Sequence, residues 1–240
     1  MTDYDPRIVD LYDGDNPDGP DHDFYRALAD ELHPESVLDL GCGTGMLTVS
    51  LQRSGRSVVG LDPSTSMLNF ARRRQGGEFV TWVTGDSRSV PHADFDYAVM
   101  TGNVAQHIPD GSWELTLQDL RRCMRAGAVL AFESRNPSAE AWRNWTSDVE
   151  SLRQTAHGPL REWSVAEEVS PGRVKLTAHN LFEESGDHVI EVLELAFRDR
   201  DTIERQLVAA GFRITAVYGD WNRSAFSGAE ALMVFVASAR

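Results

Sequence analysis

Residues 37–45 read Val-Leu-Asp-Leu-Gly-Cys-Gly-Thr-Gly, and no other stretch narrows the possible folds so far. Val37, Leu38 and Leu40 form a short apolar run without helical spacing, the pattern of a strand buried on both faces of a parallel sheet. Glycines follow at once. At Gly41, Gly43 and Gly45 the chain can turn sharply and bring its backbone close to a ligand, because no Cβ blocks the approach or forbids positive φ. Thr44 is then placed to cap a helix starting near Met46. Strand, glycine loop and helix together predict a nucleotide site. A dinucleotide fingerprint needs a small residue at the position of Met46, so that spacing argues against a nicotinamide or flavin dinucleotide.

Gly-x-Gly-x-Gly with Asp39 just ahead instead resembles the first motif of the S-adenosylmethionine-dependent methyltransferases of the Rossmann-like class. The resemblance continues through the chain. Strand 57–61 runs into Gly60-Leu61-Asp62-Pro63-Ser64-x-x-Met67-Leu68, which is similar to the second motif of that family. There it implies that Asp62 accepts from both ribose hydroxyls and that Pro63 and Met67 lie against adenine; taken alone, Asp62 could equally cap the next helix. Strand 79–83 leads to Asp86 and Ser87, where the family places a carboxylate on the adenine amino group and where an ordinary Gly-Asp turn is the plainer reading. The resemblance thus implies S-adenosyl-L-methionine as cofactor, held by Asp39, Gly41, Cys42, Gly43, Gly45, Asp62, Pro63, Met67, Asp86, Ser87, Thr101 and Gly102.

Strand 95–100 opens onto Thr101, Gly102 and Asn103, at the C-terminal strand ends that form the ligand crevice of open α/β sheets. His107 follows and is the candidate general base, since an imidazole of ordinary pKa can take a proton from a hydroxyl or ammonium group; packing or capping is its other reading. A helix over 113–124 and a fifth strand over 128–132 come next, with Glu133, Arg135 and Asn136 at the strand mouth as candidate substrate contacts. Residues 1–20, rich in Asp, Gly and Pro, read as an irregular segment with at most one helical turn, anchored by Tyr4, Ile8, Leu11 and Tyr12. Residues 21–32 read as a helix capped by Asp21. In the family this region folds over the pocket, which makes Tyr12, Asp21 and His22 candidate ligand contacts.

About 60 residues intervene before the sheet resumes. Segments 161–169, 173–182 and 188–197 alternate apolar and polar residues between turn signals and predict a three-stranded antiparallel extension. Trp142 and Trp145 ahead of it fit one helical face or, with Trp163, an aromatic lid; the extension covers the site, supports a homodimer, or both. A helix over 201–210 and strands over 212–218 and 231–237 close the chain, with Trp221 and Asn222 in the last loop at the substrate mouth or as simple anchors. The expected fold class is α/β, a doubly wound seven-stranded, mostly parallel sheet with an antiparallel last strand and a small antiparallel β insertion. Its units are a cap at 1–35, a core at 36–136 and 200–240, and an insertion at 137–199.

Composition narrows the partners. A formal net charge of −14 opposes binding to nucleic acid or anionic membranes, and the one tight basic run, Arg72 to Arg74, sits where cations complement a helix C-terminus. No apolar run is long enough to span a membrane, and the opening residues lack a secretory pattern, so a cytoplasmic protein is expected. Cys42 and Cys123 form no disulfide framework and no metal-ligand spacing. The function implied is methyl transfer to nitrogen or oxygen of a small-molecule acceptor; the aromatic-rich insertion, acidic charge and architecture are similar to those of methyltransferases acting on amines, including the amino-sugar type. The rival is a non-catalytic S-adenosylmethionine-binding sensor or partner protein.

Overall fold

The computed structural model describes residues 3–91, 94–147 and 149–240. The core opens with helices α1 (Pro6–Asp15) and α2 (Pro20–Leu32), then alternates β1 (Ser36–Leu40), α3 (Met46–Ser50), β2 (Ser57–Asp62), α4 (Thr65–Arg73), β3 (Thr81–Thr84) and β4 (Phe95–Met100). A short α5 (Val104–His107) and α6 (Ser112–Cys123) lead to the long β5 (Met124–Arg135). After the insertion, α7 (Arg200–Ala209), β10 (Phe212–Tyr218) and β11 (Leu232–Ala239) complete a seven-stranded sheet of order β10-β11-β5-β4-β1-β2-β3. Only β11 runs antiparallel to its neighbours.

Alternation along the strands splits the core in two. Leu38, Leu40, Phe95, Met100 and Phe132 pack under Trp113, Leu117 and Leu120 of α6 and under Leu207 of α7. Val37, Tyr97, Val99 and Ala131 face Phe24, Tyr25 and Leu28 of α2 and Leu47 of α3. All parallel strands therefore end on one rim, which carries Asp39, the glycine loop, Asp62, Asn103 and Arg135.

The insertion forms a separate four-stranded antiparallel sheet, β6 (Ser151–Thr155), β7 (Gly158–Ser170), β8 (Arg173–Phe182) and β9 (Asp187–Ala196). The sequence reading misses β6, whose residues are mostly exposed and carry little apolar alternation. On the inner face Val174 and Leu195 join Trp142 and Phe197 in a small core of their own. On the outer face Ile190 and Val192 stay exposed, and Trp163 stacks on His179 with ring centroids 4.7 Å apart.

Several local expectations need correction. Residues 6–15 are helical because Asp5 caps them, accepting from Arg7 N–H, and Pro6 sits in the first turn, where its missing donor costs nothing. Helix α2 starts behind Gly19, with Asp21 inside its first turn. Thr44 does not cap α3; Gly45 in left-handed geometry precedes that helix, and the Thr44 hydroxyl donates to Asp13 at 2.6 Å. Phe79 is in a 3₁₀ turn and largely exposed, so β3 begins at Thr81. Helix α6 passes into β5 with no loop, the Arg125-Ala126-Gly127 run lying within the strand.

Candidate functional site

The glycine loop is pressed between β2 and α5. Gly41 and Cys42 both donate to the Leu61 carbonyl, at 2.7 and 3.1 Å. Gly41 has φ +78°, and a Cβ there would stand 2.8 Å from Val104 Cγ1, so the residue must be glycine both for its conformation and for the contact with α5. Gly45, at φ +76°, leaves no room for a Cβ beside the Trp82 ring. Gly43 opens onto free space, and its N–H donates to Asp62 Oδ2 at 2.9 Å.

Asp62 closes the other side of this cradle. Its Oδ1 accepts from Ser64 N–H at 2.8 Å, so the carboxylate is held by one donor from the glycine loop and one from the entrance to α4. Burial pushes its pKa up, against those two donors. Each carboxylate oxygen still has a lone pair to offer. Asp39 is almost fully buried beneath the loop; its Oδ2 accepts from Thr48 at 2.6 Å, whereas Oδ1 is buried without a partner. Desolvation pushes Asp39 up to about 6. The Cys42 thiol is pushed well above its ordinary value by burial, which leaves it protonated and unsuited to nucleophilic work.

Helix α1 roofs this side of the rim. Asp3 accepts from Ser64 Oγ at 2.5 Å and from Ser66 N–H at 3.0 Å, while Asp13 receives Thr44 and the Arg74 guanidinium. Tyr12 lies in the field of Asp62 and is pushed up, mainly by burial. Tyr4 is pushed up to about 12 by burial, with Glu191 of β9, Tyr12 and Asp62 adding to the effect. The insertion meets this N-terminal segment through Arg7 with Asp187 and Arg153 with Asp15. On its inner face Glu191 accepts from Asn180 at 3.2 Å through one oxygen, and its other oxygen is buried and unpartnered.

The mouths of β4 and β5 make the second half of the rim. Asn103 adopts left-handed geometry, φ 60°, and its N–H donates to Glu133, which also receives the Tyr25 hydroxyl from α2. Glu133 is a buried carboxyl pushed up to about 7 by desolvation. Arg135 donates to Gln106 Oε1 at 3.1 Å, and its Cζ lies 5.0 Å from the Trp145 ring centroid. His107 is pushed down to about 4 by burial and by the Arg135 charge, which leaves its ring neutral at physiological pH and a weak base.

The structure thus gathers Asp39, Gly41, Cys42, Gly43, Gly45, Asp62, Thr101, Gly102, Asn103, His107, Arg135 and Tyr12 along one rim. Asp21 and His22 belong to the first turn of α2, and the fields of both reach the rim carboxyls. Pro63 is exposed and Met67 buried at the start of α4, beside Asp62. Other candidates are engaged elsewhere in this structure. The Asp86 side chain caps a 3₁₀ turn and pairs with Arg88, and the Ser87 hydroxyl donates to Asp119 at 2.7 Å. Asn136 ties β5 to the last loop through Gly228 and Glu230 carbonyls. Trp142 is buried in the core of the insertion, and Trp163 lies on its outer face, so neither forms a lid. Trp221 anchors its loop on Phe24 and Tyr25, 5.8 and 5.9 Å between centroids. Tyr25, Asp13, Gln106 and Glu191 escape the sequence reading. Only Tyr25 carries a signal, a phenol on a core-facing helix that needs a partner for its hydroxyl.

A family sequence model described as "Methyltransferase domain" matches residues 37–127, from β1 into β5. Malonyl-[acyl-carrier protein] O-methyltransferase of Pseudescherichia vulneris is 30% identical over 191 residues, covering 79% of this chain and 69% of that protein. The chain belongs to the Rossmann-like S-adenosylmethionine-dependent methyltransferases. Glycine N-methyltransferase of Rattus norvegicus is 32% identical over 117 residues, which is 42% of this chain but only 40% of that protein. In architecture the chain is similar to the sugar N-methyltransferase KedS8 of Streptoalloteichus sp ATCC 53650, with a TM-score of 0.78, 18% identity, and 100% and 96% of the two chains covered.

The residues present fit the cofactor of this methyltransferase family. A neutral-to-cationic ligand with a diol and an ammonium group meets a fixed carboxylate at Asp62, an unsatisfied buried oxygen at Asp39, and open space over Gly43.

Proposed function

We propose that this methyltransferase transfers a methyl group from S-adenosylmethionine to nitrogen or oxygen of a small-molecule acceptor. One observation carries the reading: the Asp62 carboxylate, pinned by Gly43 N–H of the glycine loop and by Ser64 N–H, stands on the rim where β4 and β5 also end, beside the N-terminal segment that Asp3 and Asp13 fasten to Ser64 and Thr44. When bound, S-adenosylmethionine supplies an electrophilic methyl carbon on a sulfonium. The chain's own part is orientation. Asp62 holds the ribose and Asp39 stands under the loop toward the ammonium end. The roof of α1 keeps water from the reacting atoms.

Aligned reactants can account for ~7–11 kcal/mol of a barrier, so a site built of positioning groups is sufficient. The acceptor lies between the β4 and β5 mouths and the inner face of the insertion. His107, neutral at physiological pH, accepts the acceptor's proton directly or through water. Because its pKa is low, it suits an acceptor that loses its proton only as the new bond forms and the nucleophile becomes acidic.

S-adenosylhomocysteine titrated into the wild-type chain and Asp62→Ala tests the cofactor site. Loss of two charge-assisted hydrogen bonds at roughly 1.5–3 kcal/mol each predicts binding weakened at least about a hundredfold in the variant. Asp62→Asn, which keeps the shape, separates this from misfolding. A flat wild-type isotherm refutes the reading. Methyl release across amines, phenols and carboxylic acids then distinguishes an enzyme from a sensor, tight binding without turnover on a broad panel favouring the sensor.

A further inference from the structure

We infer that the acceptor carries a carboxylate, which Arg135 grips at the mouth of β5. This rests on the transferase reading above and names the class of molecule that occupies its acceptor space.

The chain is strongly acidic, and the guanidiniums around the rim are neutralised by it: Arg7 pairs with Asp5 and Asp187, Arg74 with Asp13, and Arg153 with Asp15 and Glu162. Arg135 is the exception. Among the described residues no carboxylate lies within ion-pair distance of it, and its side-chain acceptor is the amide oxygen of Gln106. Glu133, two residues earlier, is committed to Tyr25 and Asn103. The carboxylate whose field reaches Arg135 is that same Glu133, which lies beyond ion-pair distance and is already taken up by Tyr25 and Asn103. Gln106 is fully buried, turns its oxygen to Arg135 and leaves its Nε2 without a partner. Largely desolvated cations and donors of this kind are costly unless an anion completes the set.

The place is right for an acceptor. Val104, which starts α5, packs on Gly41 of the glycine loop, and Gln106 lies two residues further along the same turn. Charge favours a carboxylate over a phosphate, because the guanidinium fork fits either in shape. A planar guanidinium with the Trp145 ring over it presents a fork that meets a planar carboxylate edge-on with two parallel bonds. A doubly charged phosphate would meet more repulsion from the buried Glu133 and from the acidic chain at large.

The test uses the full chain with S-adenosylhomocysteine, titrated in parallel with acetate, acetamide and inorganic phosphate. Binding is followed by the nitrogen–proton resonance of Arg135 Nε–H, assigned by its loss in Arg135→Lys. Acetate is expected to shift that resonance saturably, and acetamide to bind about tenfold more weakly or not at all, as befits loss of a charge-assisted pair. No response to acetate, or an equal response to acetamide, overturns the inference; saturation by phosphate alone overturns the carboxylate in favour of a phosphate ester. An S-adenosylhomocysteine isotherm on the same sample separates the two failures, because normal cofactor binding with acetate silent sinks only this inference. With acceptors supplied as acid and amide pairs, acids should lead in wild type. Arg135→Gln should level the two while S-adenosylhomocysteine binding persists; a preference that survives refutes the role of Arg135.

Discussion

Replacing Glu133 with glutamine should change the sign of its effect on stability between acid and mildly alkaline pH. Glu133 is buried, accepts from Tyr25 O–H and Asn103 N–H, and has its pKa pushed up from 4.5 to about 7. Between those two values the folded chain holds a proton that the unfolded chain has released, so stability falls as pH rises from 4.5 to about 7 and levels off beyond. At 1.36 kcal/mol per unit of pKa the fall amounts to at most about 3 kcal/mol. Glutamine has the same shape. Its amide oxygen can still accept from Asn103, but the Tyr25 hydroxyl loses an acceptor, at roughly 1 kcal/mol. Near pH 4, where Glu133 is protonated in both states, the variant should therefore be about 1 kcal/mol less stable than wild type, near pH 5 about equal to it, and near pH 8 about 2 kcal/mol more stable. Urea unfolding of both chains across that range measures the difference, and subtraction removes the similar slope due to Asp39, whose pKa is also raised. A wild-type-minus-variant difference that stays constant from pH 5 to 8 refutes the buried-acid account.

Two further substitutions probe the frame around the site. Gly41→Ala forces a Cβ into left-handed geometry and against Val104, which should cost about 2–4 kcal/mol in chemical denaturation and weaken S-adenosylhomocysteine binding; unchanged binding would show that α5 does not need this contact. Trp142→Ala empties the small core beneath the insertion and should destabilise that unit by ~3–5 kcal/mol. Hydrogen exchange should then quicken in β8 and β9 and not in β1 or β4; uniform quickening would mean that the insertion and the core unfold together.

The cofactor half of the rim is legible in the sequence because its demands fall on consecutive residues. A glycine loop after a buried strand, and an acid at the end of the next one, have local causes that the chain spells out within about 25 residues of each other. The acceptor half is written differently. Arg135 is readable as a polar residue at a strand mouth, but that it has no acid partner among the described residues emerges only when α5 brings Gln106 beside it and Glu133 turns to Tyr25 from a helix over 100 residues earlier. The tryptophans mislead for a related reason. Trp142 and Trp163 look alike in sequence, yet one fills the small core of a sheet and the other stacks on its outer surface, a distinction set by strand register and by which face finds cover. Residues 6–15 look irregular by composition, and their helix depends on Asp5 as cap and on ion pairs with distant segments.

Those ion pairs join two bodies through one helix. On one side α1 holds the core through Asp13 with Thr44 and Arg74; on the other it holds the insertion through Arg7 with Asp187 and Asp15 with Arg153. A clasp fastened at both ends cannot be lifted from one without loosening its hold on the other. The same helix thus sets both the cover beside the glycine loop and the seat of the antiparallel sheet.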